Sequence, residues 1–173
     1  DKALLSTEVA SGAEKAELLI VIPAYNEAEN IERVVNHLTA NFSQYDYVVV
    51  NDGSRDETAA ICQRNGYNLL NLPVNLGLAG AFQAGLKYAD KYGYQYAVQL
   101  DGDGQHRPEY LESMIKKMEE GYDIVIGSRF VGEKKPFTMR MLGSNLIEMT
   151  IRFTTGVNIK DPTSGMRMFS KRM

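Results

Sequence analysis

The chain has 173 residues, 44% of them hydrophobic and 24% charged, which suits one soluble globular domain with a sizeable core. A net charge of -3 and a pI near 5.5 provide no basic field, so no nucleic-acid partner is expected. The single cysteine, Cys62, excludes an internal disulfide framework and fits a reducing compartment, the cytoplasm.

Residues 1–17, DKALLSTEVASGAEKAE, read as a flexible arm ahead of a domain spanning 18–173. Leu18 to Ile22 is a short, wholly apolar run and predicts a first strand. Asn26 and Glu29 then open a helical pattern with Ile31, Val34, Val35 and Leu38 on one face. Tyr47 to Val50 is rich in β-branched residues and predicts a second strand, followed by NDGS. Ser54 and Glu57 have capping-box spacing for the next helix. Tyr67 to Leu72 is the third expected strand, and Phe82, Gly85, Leu86 and Ala89 fall at helical spacing after it. Tyr96 to Leu100 predicts a fourth strand. Pro108 then begins a helix whose Leu111, Met114, Ile115 and Met118 share a face, and Ile124 to Ile126 is a fifth strand. Such alternation means βαβ units and an α/β fold, a mainly parallel central sheet with helices on both faces. No apolar stretch approaches the ~20 residues of a membrane span, and no signal-peptide pattern is present. Asp1 stands in place of an initiator methionine and the chain stops at Met173, so a fragment truncated at its C-terminus is expected.

In sheets of this kind ligands bind outside the carboxyl ends of the strands. The polar turns fall there: PAYNE after the first strand, NDGS after the second, DGDGQ after the fourth, GSRF after the fifth. Asp52, Asp101 and Asp103 would share that rim with Arg129. Like charges as close as Asp101 and Asp103 disfavour each other unless a cation sits between them. A glycine-rich turn capped by aspartates is the other reading of that pair. An acidic rim holding Mg²⁺ or Mn²⁺ on oxygen ligands can in turn hold a diphosphate, which favours the metal.

AYNE, NDGS, DGDGQ and DPTSG, in this order, resemble the family-2 glycosyltransferases, and within them the polyprenyl-phosphate sugar transferases. The resemblance runs from about Leu18 to Phe169. It implies a GT-A fold, a nucleotide-sugar donor (UDP- or GDP-linked) and inversion at the anomeric carbon. By the same resemblance Pro23, Ala24, Tyr25, Glu27 and Asp52 hold the nucleobase and ribose. Asp101, Gly102 and Asp103 meet the donor, and Asp101, Asp103 and Gln105 are the Mg²⁺ or Mn²⁺ ligands. Arg129 and Arg167 are the contacts to the diphosphate or the acceptor phosphate.

Duller readings stand beside these. Ser54 is explained by the helix cap alone, His37 by a solvated helix face, and His106 by a structural place before Arg107-Pro108. The NLGLAG run from Asn75 to Gly80 lacks both dinucleotide and P-loop spacing; its small residues let a helix start close beside the donor. A nucleotidyltransferase would carry a glycine-rich basic loop after the first strand, where this chain has the acidic PAYNE. A non-catalytic nucleotide-sugar-binding module is the other rival.

Lipid phosphate, already an anion, needs cations rather than a general base. Arg129, Lys134, Lys135 and Arg140 supply them, interleaved with Phe130, Val131, Phe137 and Met139. An amphipathic stretch with Leu142, Leu146, Ile147, Met149 and Phe153 follows. Together they suit polyprenyl phosphate at the cytoplasmic face of a membrane. Asp161, as a base or as the group orienting Arg167, keeps a saccharide hydroxyl acceptor open.

Overall fold

The computed structural model describes residues 17–101, 108–127, 149, 153–154 and 166–172. A mixed sheet carries the fold. Its strands are β1 (Leu18–Ala24), β2 (Asp46–Asn51), β3 (Leu69–Asn71), β4 (Tyr96–Gln99), β5 (Ile124–Ile126) and β6 (Arg167–Ser170), in the order β3-β2-β1-β4-β6-β5. The helices are α1 (Ile31–Asn41), α2 (Thr58–Arg64), α3 (Gly77–Tyr92) and α4 (Leu111–Glu119), the last preceded by a 3-10 turn at Pro108–Tyr110.

β1 is central and buried along its whole length, as an apolar run without alternation requires of a strand covered on both faces. Ile20 and Ile22 face one way, into a core with Ile31, Val35 and Leu38 of α1 and Leu111, Met114 and Met118 of α4. Leu19 and Val21 face the other way, against Ala81, Phe82 and Ala89 of α3. Each such side chain, fully buried, contributes about 1.5–3 kcal/mol. α3 lies so close to β1 that a Cβ at Gly85 would overlap the Val21 side chain. Helices therefore cover both faces, as the alternating pattern predicts.

β1 pairs in parallel with β2 and β4, and β2 with β3. Sequence reading misses β6, which pairs antiparallel with both β4 and β5 and so separates them. The trace it leaves is a period-2 pattern: Met168 is buried in the α1–α4 core, while Phe169 packs on the α3 side with its ring 5.5 Å from Phe82. β5 consequently runs in the same direction as β1, and the start of β6 joins the carboxyl rim. Two boundaries also differ from expectation. α1 begins at Ile31 rather than near Asn26, because the Glu27 carbonyl accepts the Asn30 and Ile31 amides while residues 26–28 bond elsewhere. The third strand is only Leu69–Asn71, because the Tyr67 amide donates to the Cys62 carbonyl, closing the end of α2.

Candidate active site

The carboxyl ends of β1, β2 and β4 converge on a cleft of about 410 Å³ lined by Pro23, Ala24, Tyr25, Glu27, Asp52, Asn75, Gly77, Leu78, Ala81 and Asp101. Each expected residue arrives by ordinary strand geometry. Pro23 and Ala24 are the last residues of β1, paired with Val50 and Asn51 of β2. Tyr25 follows, 43% exposed, and the backbone then turns through Asn26 at φ 56°.

Asp52 leaves β2 at the same level. Its amide donates to the Ala24 carbonyl at 2.9 Å, locking the two strand ends together. Its carboxylate is only 2% exposed, and Oδ1 accepts the Leu76 amide at 2.7 Å. Asn75 Nδ2 donates to the Asp52 carbonyl at 3.1 Å. The chain at 74–75 thus passes directly over the NDGS turn. Gly53 makes that approach possible: it has φ 65°, and a Cβ there would stand 2.7 Å from the Asn75 nitrogen.

Asp101 comes from the end of β4. The Leu100 amide donates to the Val21 carbonyl at 2.9 Å, and Gln99 Nε2 donates to Asp101 Oδ1 at 2.8 Å. The carboxylates of Glu27, Asp52 and Asp101 therefore stand around one open cleft, beside the partly exposed ring of Tyr25. Among the described residues no three His, Cys, Asp or Glu side chains form a group that could hold a metal. Asp101 is nonetheless a hard oxygen donor on the cleft wall, chemistry that fits Mg²⁺ or Mn²⁺ rather than a softer ion.

Six expected donor-site residues thus line one cleft: Pro23, Ala24, Tyr25, Glu27, Asp52 and Asp101. Gly102, Asp103, Gln105, Arg129 and Asp161 lie outside the described residues, as does the basic segment from Lys134 to Arg140. Arg167 opens β6 opposite Ile126, on the carboxyl rim but not among the cleft-lining residues. Sequence reading gives Asn75, Gly77, Leu78 and Ala81 no individual role, although it sets the NLGLAG run beside the donor. The missed signal is Asn75, whose side chain ties that run to Asp52. The capping-box reading of Ser54 is wrong. Ser54 Oγ accepts the Asn26 amide at 3.0 Å, and α2 starts at Thr58, with Glu57 at its N-cap and no side-chain capping bond. His37 is exposed on α1, as expected, with its ring 6.0 Å from Phe42. A second cavity of about 540 Å³, between α3 and the far ends of β4 and β6, contains none of the expected site residues.

Residues 19–173 match the family described as glycosyl transferase family 2. Among curated relatives, the chain is 32% identical to a polyprenol monophosphomannose synthase of Mycolicibacterium smegmatis, over 90% of this chain and 62% of that protein. It is 33% identical to the UDP-N-acetylglucosamine–dolichyl-phosphate N-acetylglucosaminyltransferase of Methanococcus voltae, over 89% of this chain and 69% of that protein. The chain thus spans about two thirds of the length of these relatives. Among solved structures, glucosyl-3-phosphoglycerate synthase of Mycobacterium tuberculosis, in complex with Mn²⁺, UDP-glucose and phosphoglyceric acid, superposes with a TM-score of 0.68 at 19% identity, over 90% of this chain and 56% of that one. That likeness bears on the fold, which is GT-A. With the ordered motifs, the cleft they build and a family match over nearly the whole chain, this protein belongs to glycosyl transferase family 2.

Proposed function

We propose that this chain is the catalytic domain of an inverting glycosyltransferase that moves a sugar from a UDP- or GDP-sugar to polyprenyl phosphate. The observation that carries the reading is the cleft itself, where the ends of β1, β2 and β4 gather Tyr25, Glu27, Asp52 and Asp101. The names of the two curated relatives, both transferases acting on a polyprenyl lipid, support the acceptor class.

In this reading Tyr25 packs on the nucleobase, and Asp52 accepts a hydrogen bond from the base or ribose. Asp101, with Asp103 and Gln105 of the same motif, holds Mg²⁺ or Mn²⁺. Such an ion, when bound, offsets the negative charge growing on the departing nucleoside diphosphate. An oxygen of the acceptor phosphate attacks the anomeric carbon from the face opposite the diphosphate. The new C–O bond forms as the bond to the diphosphate breaks, the electron pair leaves on the diphosphate, and the configuration inverts. No proton has to be removed, because the acceptor is already an anion. Arg129 and Arg167 hold that phosphate, and Asp161 orients Arg167. No helix among the described residues is long and apolar enough to cross a membrane. Arg129, Lys134, Lys135 and Arg140, interleaved with apolar residues after β5, form the segment proposed to meet the lipid headgroup at the cytoplasmic membrane surface.

The test offers labelled UDP- and GDP-sugars with undecaprenyl or dolichyl phosphate, the matching polyprenol and simple glycosides, with and without Mn²⁺. Label on the lipid phosphate is expected. Label confined to hydroxyl acceptors would move the assignment to a transferase that uses Asp161 as its base.

A further inference from the structure

Beyond the cleft-lining residues, the loops after β1 and β2 are laced together by long-range hydrogen bonds. The amides of Asn26, Glu27 and Ala28 donate in turn to Ser54 Oγ, Thr58 Oγ1 and Asp56 Oδ2 at 3.0, 2.9 and 3.0 Å. In the opposite direction the Arg55 amide donates to Asn26 Oδ1 at 2.9 Å. Asp56 Oδ1 accepts both the amide and the hydroxyl of Thr58. A hydroxyl has one proton. Because Thr58 gives that proton to Asp56, its lone pairs are left to receive the Glu27 amide. Thr58 is fully buried, so this orientation is enforced away from water, whereas Asp56 itself is exposed and does not line the cleft. Tyr25 and Glu27 flank Asn26, whose left-handed φ of 56° is uncommon for a residue with a side chain. Tyr25 is 43% exposed, so much of its position follows from the backbone that the lacing fixes.

We infer that Asp56, acting through Ala28 and the Thr58 hydroxyl, is a positioning residue for the nucleotide end of the cleft: it holds residues 26–28 so that Tyr25 and Glu27 meet the ligand. The inference rests on the donor-site reading above and assigns a role to a residue that touches no substrate.

The experiment compares the full chain with Asp56→Ala, Thr58→Val, the double variant and Asp56→Asn. Two readouts are taken: calorimetric titration with UDP and GDP in the presence of Mn²⁺, and amide hydrogen exchange along the chain. Asp56→Ala and Thr58→Val should each weaken nucleotide binding about tenfold, the scale of one charge-assisted hydrogen bond. Because the two groups share the Asp56–Thr58 bonds, the double variant should lose less than the sum of the two single losses. Asp56→Asn, which keeps an acceptor oxygen, should recover part of the loss. Exchange should quicken at residues 26–28 and stay unchanged at Ile20–Ile22, a local loosening that general destabilisation would not produce. Faster exchange at 26–28 with wild-type affinity would overturn the inference, as would unchanged exchange. A wild-type chain that binds neither nucleotide overturns the donor reading instead; the positioning role is then decided by the exchange pattern alone.

Discussion

The carboxylate of Asp52 accepts the backbone amide of Leu76, 24 residues further on, at 2.7 Å. One side chain thus both faces the cleft and braces the turn that starts α3. The two tasks can be separated by substitution. Asp52→Ala leaves a partly buried amide without its acceptor and should cost about 1–3 kcal/mol, together with most nucleotide affinity. Asp52→Asn keeps an acceptor for Leu76 while removing the charge. Its melting temperature should stay close to wild type while affinity for the nucleoside diphosphate falls. Equal losses of stability in the two variants would show that the charge, rather than the acceptor, is what braces the turn.

Gly53 carries the same crossing. A Cβ there would stand 2.7 Å from the Asn75 nitrogen and 2.8 Å from the Val74 carbonyl carbon, on a backbone with φ 65°. The left-handed conformation alone costs a side chain roughly 1–2 kcal/mol, and overpacking against rigid backbone adds about 1–3 kcal/mol. Gly53→Ala should therefore unfold at clearly lower denaturant, with nucleotide affinity falling as residues 74–76 shift. By contrast Gly66, also at positive φ, has nothing within 4 Å of an added Cβ. Gly66→Ala should show only the conformational cost, and chemical denaturation of the pair measures the difference.

What the sequence made legible follows from where the energy lies. β1, β2 and β4 announce themselves because short, mostly apolar runs alternating with amphipathic helices fit buried strands of a parallel sheet, and the motif turns then fall at their carboxyl ends by topology. Hence Pro23, Ala24, Tyr25, Glu27, Asp52 and Asp101, which follow or end those strands, line one cleft by topology. β6 was not legible because Arg167–Ser170 holds only two apolar residues, Met168 and Phe169, between polar ends, and its partners β4 and β5 lie far back in the chain. Ser54 was misread for a related reason. A serine three residues before a glutamate satisfies the local capping rule, yet the nonlocal Asn26 amide takes its oxygen. Local rules cannot register a partner 28 residues away.

Acid stability tests the lacing independently of any ligand. Partial burial raises the Asp56 carboxyl, but hydrogen bonds from the Thr58 side chain and amide, and from the Ala28 amide, outweigh it and hold the group below its ordinary 3.8. A carboxyl depressed on folding stabilises the protein above its unfolded value, and the contribution fades as pH falls through the folded value. The melting temperature of wild type should therefore exceed that of Asp56→Asn by a constant margin between pH 6 and 7, a range set by that carboxylate rule. The margin should close progressively below about pH 4. A margin that widened on acidification would reverse the sign and contradict the bonding described.

Cys62, the single cysteine, reports global opening. It is wholly buried in the core between α1 and β2, and burial pushes its thiol from 9.0 up to about 11. A thiol raised on folding adds stability that is fully present below about pH 9 and is lost as pH rises toward 11. With its pKa raised to about 11, the thiol holds far less reactive thiolate near neutrality than an exposed cysteine does, before burial blocks the reagent. Labelling by a thiol reagent at pH 8 should thus proceed only through unfolding and quicken with urea in step with the loss of helical circular dichroism. Fast labelling of the native chain without urea would show that the α1–β2 core opens locally.

The carboxylate at the end of β4 decides whether the cleft works with a metal. Asp101 lines it beside Glu27 and Asp52, and Gln99 Nε2 holds one of its oxygens at 2.8 Å. That bond helps orient the side chain on the cleft wall, where a carboxylate oxygen is the kind of ligand a divalent cation takes. Asp101→Asn preserves volume and removes the charge. Asp101 is only partly buried, so the melting temperature without metal should change by no more than a few degrees, the range of a modest surface change in a domain this size. The effect should appear on adding Mn²⁺. Wild type should bind a nucleoside diphosphate at least tenfold more tightly with the ion than without it, about 1.4 kcal/mol, and Asp101→Asn should lose most of that gain. Asp103→Asn, two residues further along the chain, should lose it as well if the two carboxylates share the ion. Calorimetry of the three proteins with and without Mn²⁺ makes the comparison. Equal nucleotide affinity in both conditions for wild type would mean that the cleft binds its donor without a metal, leaving Asp101 to act on the ribose.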